Sequence, residues 1–238
     1  MMPFPTTEWG CVAEAGDPDS PGARDALAVL CQGYWYPIYS FVRSRGYPPY
    51  EAADLTQEYF GRLLEGRLLG AADRRKGRFR NLLRTDCGYF LADQRDRRRA
   101  RKRGGDRPWL SLDAEEAERR FGLELCDRIA PERLFDRAWA LDLLGRALDR
   151  VAEAESAAGR GAAFERLRVV LTDGPRVVPY ARLAADLGTT AEAVEIAVRR
   201  LRGRYRAALR AEVAATLGDP SEAEVDDEIR DLFVALGR

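Results

Sequence analysis

The sequence contains no histidine, and this absence removes the commonest general base and the commonest metal ligand in proteins. The four cysteines, Cys11, Cys31, Cys87 and Cys126, are too scattered for a zinc site of the CxxC type, and we interpret them as reduced, buried thiols. The chain also lacks a nucleophile elbow, a phosphate-binding loop and a dinucleotide fingerprint. We therefore expect no catalysis, no metal and no cofactor.

The chain has no net charge, because 39 basic residues balance 39 acidic ones. The distribution is uneven, with thirteen basic and three acidic residues from position 74 to 103, and seven acidic and one basic from 219 to 231. One strongly basic segment in a neutral chain favours a local contact with a polyanion. No signal peptide is apparent, and no apolar run approaches the roughly 18 residues of a membrane span, so we expect a cytoplasmic protein without membrane contact.

Long runs of β-branched residues are also missing, and nearly every periodic segment has helical spacing. The one extended-looking piece, residues 176–178, is too short to found a sheet. We predict an all-α protein with two small helical domains joined by a linker. The predicted parts are a first domain at 24–105, a linker with at most one short helix at 106–131, a second domain at 132–217 and an acidic tail at 218–238.

Three helices are predicted in the first domain, at about 23–45, 50–64 and 79–103. Pro37 is expected to kink or divide the first of them. The aromatic run at 34–36 could stack nucleic-acid bases, but its position within an apolar helix favours core packing. The apolar positions of the third helix are Leu82, Leu83, Tyr89 and Phe90. The second domain begins with predicted helices at about 132–158 and 164–171.

Residues 179–206 have the pattern of a helix-turn-helix. The first helix has one apolar stripe, followed by Gly188, which adopts the left-handed conformation at a helix end without steric cost. Thr189 and Glu192 then have the spacing of a capping box at the start of a second helix. The stripe of the first helix is Tyr180, Leu183, Ala184 and Leu187, and that of the second is Val194, Val198, Leu201 and Tyr205.

The second helix of this motif has a further face formed by Glu195, Arg199, Arg202 and Arg206. Such a face suits a helix whose N-terminal end enters the major groove of DNA while later arginines reach phosphates. An ordinary helical hairpin with a solvated basic face has the same pattern. This segment alone therefore does not decide between DNA binding and a structural role.

Three motifs in order along the chain resemble those of extracytoplasmic-function sigma factors, the two-domain branch of the bacterial RNA polymerase sigma factors. Asp54–Phe60 with Leu63 and Leu64 is similar to the helix that docks on the β′ coiled coil of the polymerase. The segment 77–83 with 91–93 and the arginine run is similar to the part that recognises and melts the −10 element. Tyr180–Arg206 is similar to the motif that reads the −35 element. The resemblance covers about residues 24–215.

The resemblance implies a function in promoter recognition and assigns roles to particular residues. The implied polymerase-binding residues are Asp54, Gln57, Glu58 and Tyr59. The implied −10 residues are Arg74, Arg75, Lys76, Arg78, Phe79 and Arg80 around a base pocket, and Arg95, Arg98, Arg99, Arg101, Lys102 and Arg103 on phosphates. The implied −35 residues are Thr189, Thr190, Glu192, Glu195, Arg199, Arg202 and Arg206.

The implied partners are core RNA polymerase, through its β′ coiled coil and β flap, and promoter DNA. Control by an anti-sigma factor, by a Ser/Thr kinase or by expression level stays open, and we expect a monomer when the protein is free. In a related subgroup a threonine on the docking helix is thought to be phosphorylated. Thr56 is therefore a candidate switch on a helix with few carboxylates, although an ordinary exposed helix residue is the favoured interpretation.

The acidic tail has two possible roles, either as a solvated amphipathic helix or as a segment that folds back over a basic DNA-binding surface. Two other classes of protein also compete with a sigma factor. A helix-turn-helix repressor or activator would need no core polymerase, but it would leave the helices at 50–64 and 79–103 without a role. A sigma-like adaptor would hold a partner without opening DNA and would not need two separate cationic surfaces.

Overall fold

The computed structural model describes residues 8–17, 19–65, 67–100, 112–124, 130–172, 178–217 and 220–237, and all regular elements in these ranges are helices, as predicted. The helices are α1 (Glu8–Ala15), α2 (Ala23–Ser44), α3 (Pro49–Leu64), α4 (Arg67–Gly70), α5 (Phe79–Ala100), α6 (Leu112–Glu124), α7 (Pro131–Ala157), α8 (Gly161–Leu167), α9 (Val169–Thr172), α10 (Tyr180–Leu187), α11 (Ala191–Leu217) and α12 (Glu222–Ala235).

The chain divides into two compact units whose limits differ from the predicted domains. Unit 1 consists of Met1–Asp142 together with Ala214–Arg238, and unit 2 consists of Leu143–Val213. The predicted linker contains one helix, α6, which belongs to unit 1. The acidic tail also belongs to unit 1. The unit boundaries fall inside the long helices α7 and α11.

In unit 1, α2 is the central helix and contacts α1, α3, α5 and α6. It continues through Pro37 as one element of 22 residues, so the proline does not divide it. Tyr34 and Tyr36 are buried, which agrees with core packing of this aromatic run. Trp35 stacks on the buried ring of Tyr39 with a centroid distance of 5.2 Å. The aromatic run therefore anchors α2 in the core.

Helix α6 joins the core of unit 1 through few apolar contacts and a half-buried polar cluster. Phe121 is 2% exposed, and the Arg43 guanidinium lies over its ring at 4.7 Å from the centroid. Glu118 accepts hydrogen bonds from the Tyr39 hydroxyl at 2.8 Å and from Arg43 Nε and Nη2, each at 2.7 Å. A carboxylate bound by several donors fixes α6 on α2. The apolar content of α6 alone is too small to predict this.

Unit 2 has one apolar core between α7, α8, α9, α10 and α11. Its buried residues are Val151, Phe164, Leu167, Val170, Leu183, Ala184, Val194, Val198 and Leu201. The two stripes predicted for the helix-turn-helix are confirmed, since Tyr180, Leu187 and Tyr205 pack against this core as partly buried side chains. The core therefore fixes which faces of α10 and α11 remain exposed.

Candidate nucleic-acid interface

The cationic segment after α4 consists of a short, tightly turned loop and the first two residues of α5. We call this segment, Arg74–Arg80, the arginine loop. Asp73 caps a single 3₁₀ turn by accepting a hydrogen bond from the Arg75 backbone N–H at 2.9 Å. Gly77 follows with φ +130°, a conformation that a residue with a side chain rarely adopts. Arg74, Arg75 and Lys76 are exposed. The turn therefore presents three cations to solvent.

One of these side chains, Arg75, is paired with the capping residue Asp73. Arg75 Nη2 lies 3.1 Å from Asp73 Oδ2, and hydrogen bonds from the Arg75 side chain and backbone lower the pKa of Asp73. The Arg75 side chain is nevertheless 89% exposed, so this ion pair is weak and exchanges readily with a solvent anion. The cations of the 3₁₀ turn are available to a phosphate.

Phe79 does not line an open base pocket, contrary to its implied role. Its side chain is 2% exposed and makes edge-to-face contacts with Trp9 and Tyr34 at centroid distances of 5.9 and 5.6 Å. Such aromatic pairs stabilise a core beyond their area burial. Phe79 anchors the start of α5 and cannot stack on a base without leaving the core.

Arg78 and Arg80 are not free cations either. Arg80 is 8% exposed, forms an ion pair with Glu228 of α12, and lies over the Trp139 ring at 4.1 Å from the centroid. Arg78 Nη2 lies 2.7 Å from Glu228 Oε2, and Arg78 Nη1 lies 2.6 Å from Asp231 Oδ2. The guanidinium groups of these two arginines, which the resemblance places around a base pocket, are therefore already bound by carboxylates. The predicted helix in the acidic tail is confirmed, and it covers part of the basic segment.

The basic end of α5 can be followed only in part. Arg95 is exposed on this helix, and Arg98 and Arg99 continue it, although their side chains lie outside the described part. Arg101, Lys102 and Arg103 lie outside the described residues. Among the described side chains, Arg95 therefore remains the clearest exposed candidate on this helix.

Tyr89 is the exposed feature of α5 that the sequence interpretation missed. The sequence groups it with the apolar positions Leu82, Leu83 and Phe90, but it is 71% exposed. The buried line of α5 is Leu83, Cys87, Phe90, Leu91 and Gln94. Tyr89 lies six positions after Leu83, which is off this line, whereas the exposed residues Asn81 and Thr85 precede it at helical spacing. Stricter use of the helical period would have found this face.

The face of α3 implied to bind polymerase is largely exposed. Asp54, Gln57 and Glu58 are exposed neighbours at helical spacing, and Glu58 accepts a hydrogen bond from Gln94 of α5. Glu58 also lines a groove between α3 and α5 together with Leu63 and Phe90. Leu64 is 63% exposed at the end of α3. This face thus combines carboxylates with accessible apolar surface.

Tyr59 and Thr56 do not belong to this exposed face. Tyr59 is 0% exposed and its hydroxyl donates to the Leu83 carbonyl at 3.0 Å, so it cannot contact a docked partner. Thr56 is also 0% exposed, and its hydroxyl donates to the Ala52 carbonyl at 2.7 Å. The expectation that Thr56 is an exposed helix residue is wrong. A kinase would reach its hydroxyl only after α3 had come away from the core.

The turn of the helix-turn-helix is built by local backbone chemistry. Gly188 has φ +63° and donates to the Ala185 carbonyl, while Thr189 N–H donates to the Ala184 carbonyl at 2.9 Å. This pair of hydrogen bonds is the Schellman ending of a helix. The next helix is capped by Thr190 and not by Thr189, because Thr190 Oγ1 accepts from Ala193 N–H at 3.2 Å. The N-cap is therefore one residue later than predicted, and Ala193 at N3 cannot close the predicted capping box.

Glu192 lies in the first turn of α11 instead of closing a capping box. Hydrogen bonds from its own backbone N–H and from the Thr190 hydroxyl lower the pKa of Glu192. A carboxylate there is also stabilised by the helix dipole. Glu192 is therefore a fixed, charged acceptor at the exposed start of α11.

All seven residues implied to read the −35 element are exposed in unit 2. Glu195, Arg199, Arg202 and Arg206 follow one another at spacings of four, three and four residues, which places them along one face of α11. The neighbouring Ile196 is 42% exposed. The adjacent face, offset by one residue, holds Val194, Val198 and Leu201 in the core. The motif thus presents two acids near its N-terminal end and three arginines farther along.

Comparisons with protein-family models, with curated proteins and with solved structures give no match to this chain. Among the described residues, no helix is both long and apolar enough to cross a membrane. The same part of the chain contains no group of three or more cysteine or acidic side chains placed to hold a metal ion. The functional argument consequently depends on the motifs and the surfaces described above.

Proposed function

We propose that this chain is an RNA polymerase sigma factor similar to the extracytoplasmic-function type. It would act in the cytoplasm, bind core polymerase and promoter DNA, and perform no chemistry itself. The observation that carries the proposal is a division of surfaces. A helix-turn-helix with a fully exposed reading face lies in unit 2, while a carboxylate-bearing helix and a cationic loop and helix lie in unit 1. A DNA-binding regulator alone would need only the first of these surfaces.

The exposed face of α3 is the proposed contact with the polymerase β′ coiled coil. Asp54, Gln57 and Glu58 supply polar groups, and the exposed side chain of Leu64 supplies apolar area. A docking surface of this kind combines an apolar centre with charged groups that select the partner and its orientation. Unit 2 would contact the β flap of the same enzyme.

The cations of unit 1 are the proposed contact with the separated strands of the −10 element. Arg74, Arg75, Lys76 and Arg95 are exposed and can hold phosphates without rearrangement. Cations that track the backbone, together with an exposed aromatic side chain such as Tyr89, are the usual means of holding single-stranded nucleic acid. This contact should weaken steeply with salt, because binding releases counterions from the strand.

The exposed face of α11 is the proposed contact with duplex DNA at the −35 element. The backbone N–H of Thr190 at the start of α11 suits a phosphate, whereas the N–H of Thr189 already donates to the Ala184 carbonyl. Glu192 and Glu195 can accept from cytosine N4, and Arg199 can donate to guanine O6 and N7. Arg202 and Arg206 lie farther along the same helix and suit the DNA backbone.

Transcription in vitro with purified core polymerase and a promoter library tests the proposal. The chain is expected to produce defined start sites that share upstream sequence elements. Asp54→Lys should abolish these transcripts because it reverses a charge on the docking face. Asp149→Lys makes the same change at an exposed position of α7 and should leave them intact. A chain that binds duplex DNA but starts no transcripts with core polymerase would instead support the helix-turn-helix regulator.

A further inference from the structure

The acidic helix α12 meets the arginine loop through a row of carboxylates. Glu228 is 0% exposed and forms ion pairs with both Arg78 and Arg80. Asp231 pairs with Arg78 at 2.6 Å, and the charge of Arg74 contributes to the lowered pKa of Glu224, after hydrogen bonds from Ser221. Glu224, Glu228 and Asp231 occur at spacings of four and three residues, so they lie on one face of α12.

Helix α12 is a well-formed element that is held in place by a small contact area. Ser221 and Glu224 form a complete capping box, in which each side chain accepts from the backbone of the other residue. Only Val225, Glu228 and Leu232 are buried on this helix. Two apolar side chains and one buried carboxylate therefore carry most of its attachment to unit 1. An attachment of this size can be opposed by a competing ligand.

We infer that α12 is an autoinhibitory cover on the arginine loop. The inference rests on the proposed function, which assigns this loop to single-stranded DNA. A phosphate uses the same guanidinium N–H donors that now bind Glu228 and Asp231, since arginine offers carboxylates and phosphates the same bidentate fork. DNA and the acidic face of α12 consequently compete for Arg78 and Arg80.

The cover leaves part of the loop open. Arg74, Arg75 and Lys76 remain exposed and attract a strand electrostatically, whereas Arg78 and Arg80 become available only when α12 moves. The coupling is reciprocal, so a strand that takes both arginines loosens α12, and a partner that removes α12 strengthens DNA binding. The free protein would thus bind DNA weakly until α12 is displaced.

Single substitutions in α12 test the competition in the full-length chain. The probe is a labelled single-stranded DNA of about twenty nucleotides, which exceeds the site size of a typical single-strand module. Asp231→Asn is expected to tighten binding about threefold to tenfold at low salt, because it frees a donor of Arg78 for a phosphate. Asp227→Asn is the matched control, since Asp227 lies on the same helix, is similarly exposed and pairs with Arg230. The affinity of the Asp227→Asn variant for the single-stranded probe should differ from that of the unaltered chain by less than about twofold.

The salt dependence gives a second, quantitative readout. The double variant Glu228→Gln with Asp231→Asn frees both Arg78 and Arg80. Each new phosphate contact on a single strand steepens the slope of the logarithm of the binding constant against the logarithm of the salt concentration by about 0.7. The double variant should therefore be steeper than the unaltered chain by about 1.4. Thermal unfolding checks that the variant is folded. If it is not, Asp231→Asn still provides the test, because that carboxylate is 52% exposed.

Hydrogen exchange shows directly whether DNA displaces the helix. Addition of the single-stranded probe should accelerate amide exchange in residues 225–232 of α12 and leave α8 unchanged. Equal affinities for Asp231→Asn and Asp227→Asn, with unchanged exchange in α12, would overturn the inference. Transcription with core polymerase separates this failure from that of the proposed function. Transcripts from a chain whose α12 does not respond to DNA reject only the cover, whereas a responsive α12 without transcripts rejects only the sigma assignment.

Discussion

Unit 1 and unit 2 differ in how many of their described candidate DNA-binding residues are exposed. In unit 2 all seven candidates are exposed, and the apolar stripe beneath them is a separate face of the same helix. In unit 1, Phe79 and Arg80 are buried and Arg78 is held by two carboxylates. Residues with a similar charge pattern can therefore form an open surface in one unit and a covered, structural one in the other. Substitutions should separate these two situations clearly.

The largest expected effect comes from Phe79→Ala in unit 1. Removal of a buried ring that contacts Trp9 and Tyr34 should lower the free energy of unfolding by about 3–5 kcal/mol. Arg75→Ala, at an exposed position of the same loop, should change it by less than about 0.5 kcal/mol. Urea unfolding measures both. Equal, small changes would mean that Phe79 is not part of the core.

A smaller loss of stability is expected from Thr56→Asp. The side chain is buried and its hydroxyl is already hydrogen-bonded, so a carboxylate there should cost at least about 2 kcal/mol. Gln57→Asp adds the same charge at the exposed neighbour and should cost less than about 0.5 kcal/mol. Chemical unfolding of the two variants gives the comparison. A fully stable Thr56→Asp chain would restore Thr56 as a candidate phosphorylation switch.

In unit 2 the expected effect is on recognition and not on stability. Arg199→Ala should lose about 1–3 kcal/mol of discrimination at one base pair, because a bidentate contact to guanine disappears. Arg202→Ala should weaken binding by a similar factor on all sequences, because a phosphate contact is lost. Binding to a library of duplexes distinguishes the two variants. Identical sequence preferences in both would contradict the proposed reading face.

The smallest expected effect is on the pH dependence of the stability of the two units. Burial raises the pKa of Glu118 in unit 1, but the hydrogen bonds from Arg43 and Tyr39 outweigh it, so the net pKa is lowered from 4.5. Glu192 in unit 2 has a lowered pKa for a local reason, its own helix start. Both contributions to stability are present above about pH 4.5 and are lost as the pH falls through the lowered values.

Glu118→Gln should therefore flatten the acid-induced loss of stability in unit 1, and Glu192→Gln should do so in unit 2. Thermal unfolding between about pH 3 and pH 6, the range in which carboxylates titrate, measures this loss of stability. Hydrogen exchange assigns the change to one unit. The effect of Glu118 should be the larger one, because its partners are Tyr39 and Arg43 across the core. A pH profile that neither substitution changes would contradict the inferred role of these carboxylates.

The sequence was most informative where the determinants of structure are local. Gly188 ended α10 and a threonine capped α11 as expected, because helix endings depend on backbone conformation and on residues one to three positions away. The apolar stripes of α10 and α11 followed from the helical period. The error was one residue in the position of the cap. The surface of the helix-turn-helix was therefore largely predictable.

The sequence was least informative where charges pair across the fold. Arg80 and Glu228 lie 148 residues apart, and Arg43 and Glu118 lie 75 residues apart. A run of arginines does not reveal which of them will meet a carboxylate, so Arg78 and Arg80 were assigned to DNA. The same limit hid the attachment of α6 to unit 1, because that attachment depends on Glu118. Composition predicted a cationic segment, but only tertiary structure separated its open cations from its paired ones.

Association with core RNA polymerase is the most direct measurement of the central claim, that this chain confers promoter recognition on that enzyme. The purified chain and core polymerase should co-elute in size-exclusion chromatography, and Asp54→Lys should prevent this while Asp149→Lys does not. Failure of the unaltered, folded chain to associate with core polymerase at micromolar concentration (about the range of a weak specific complex) would contradict the account.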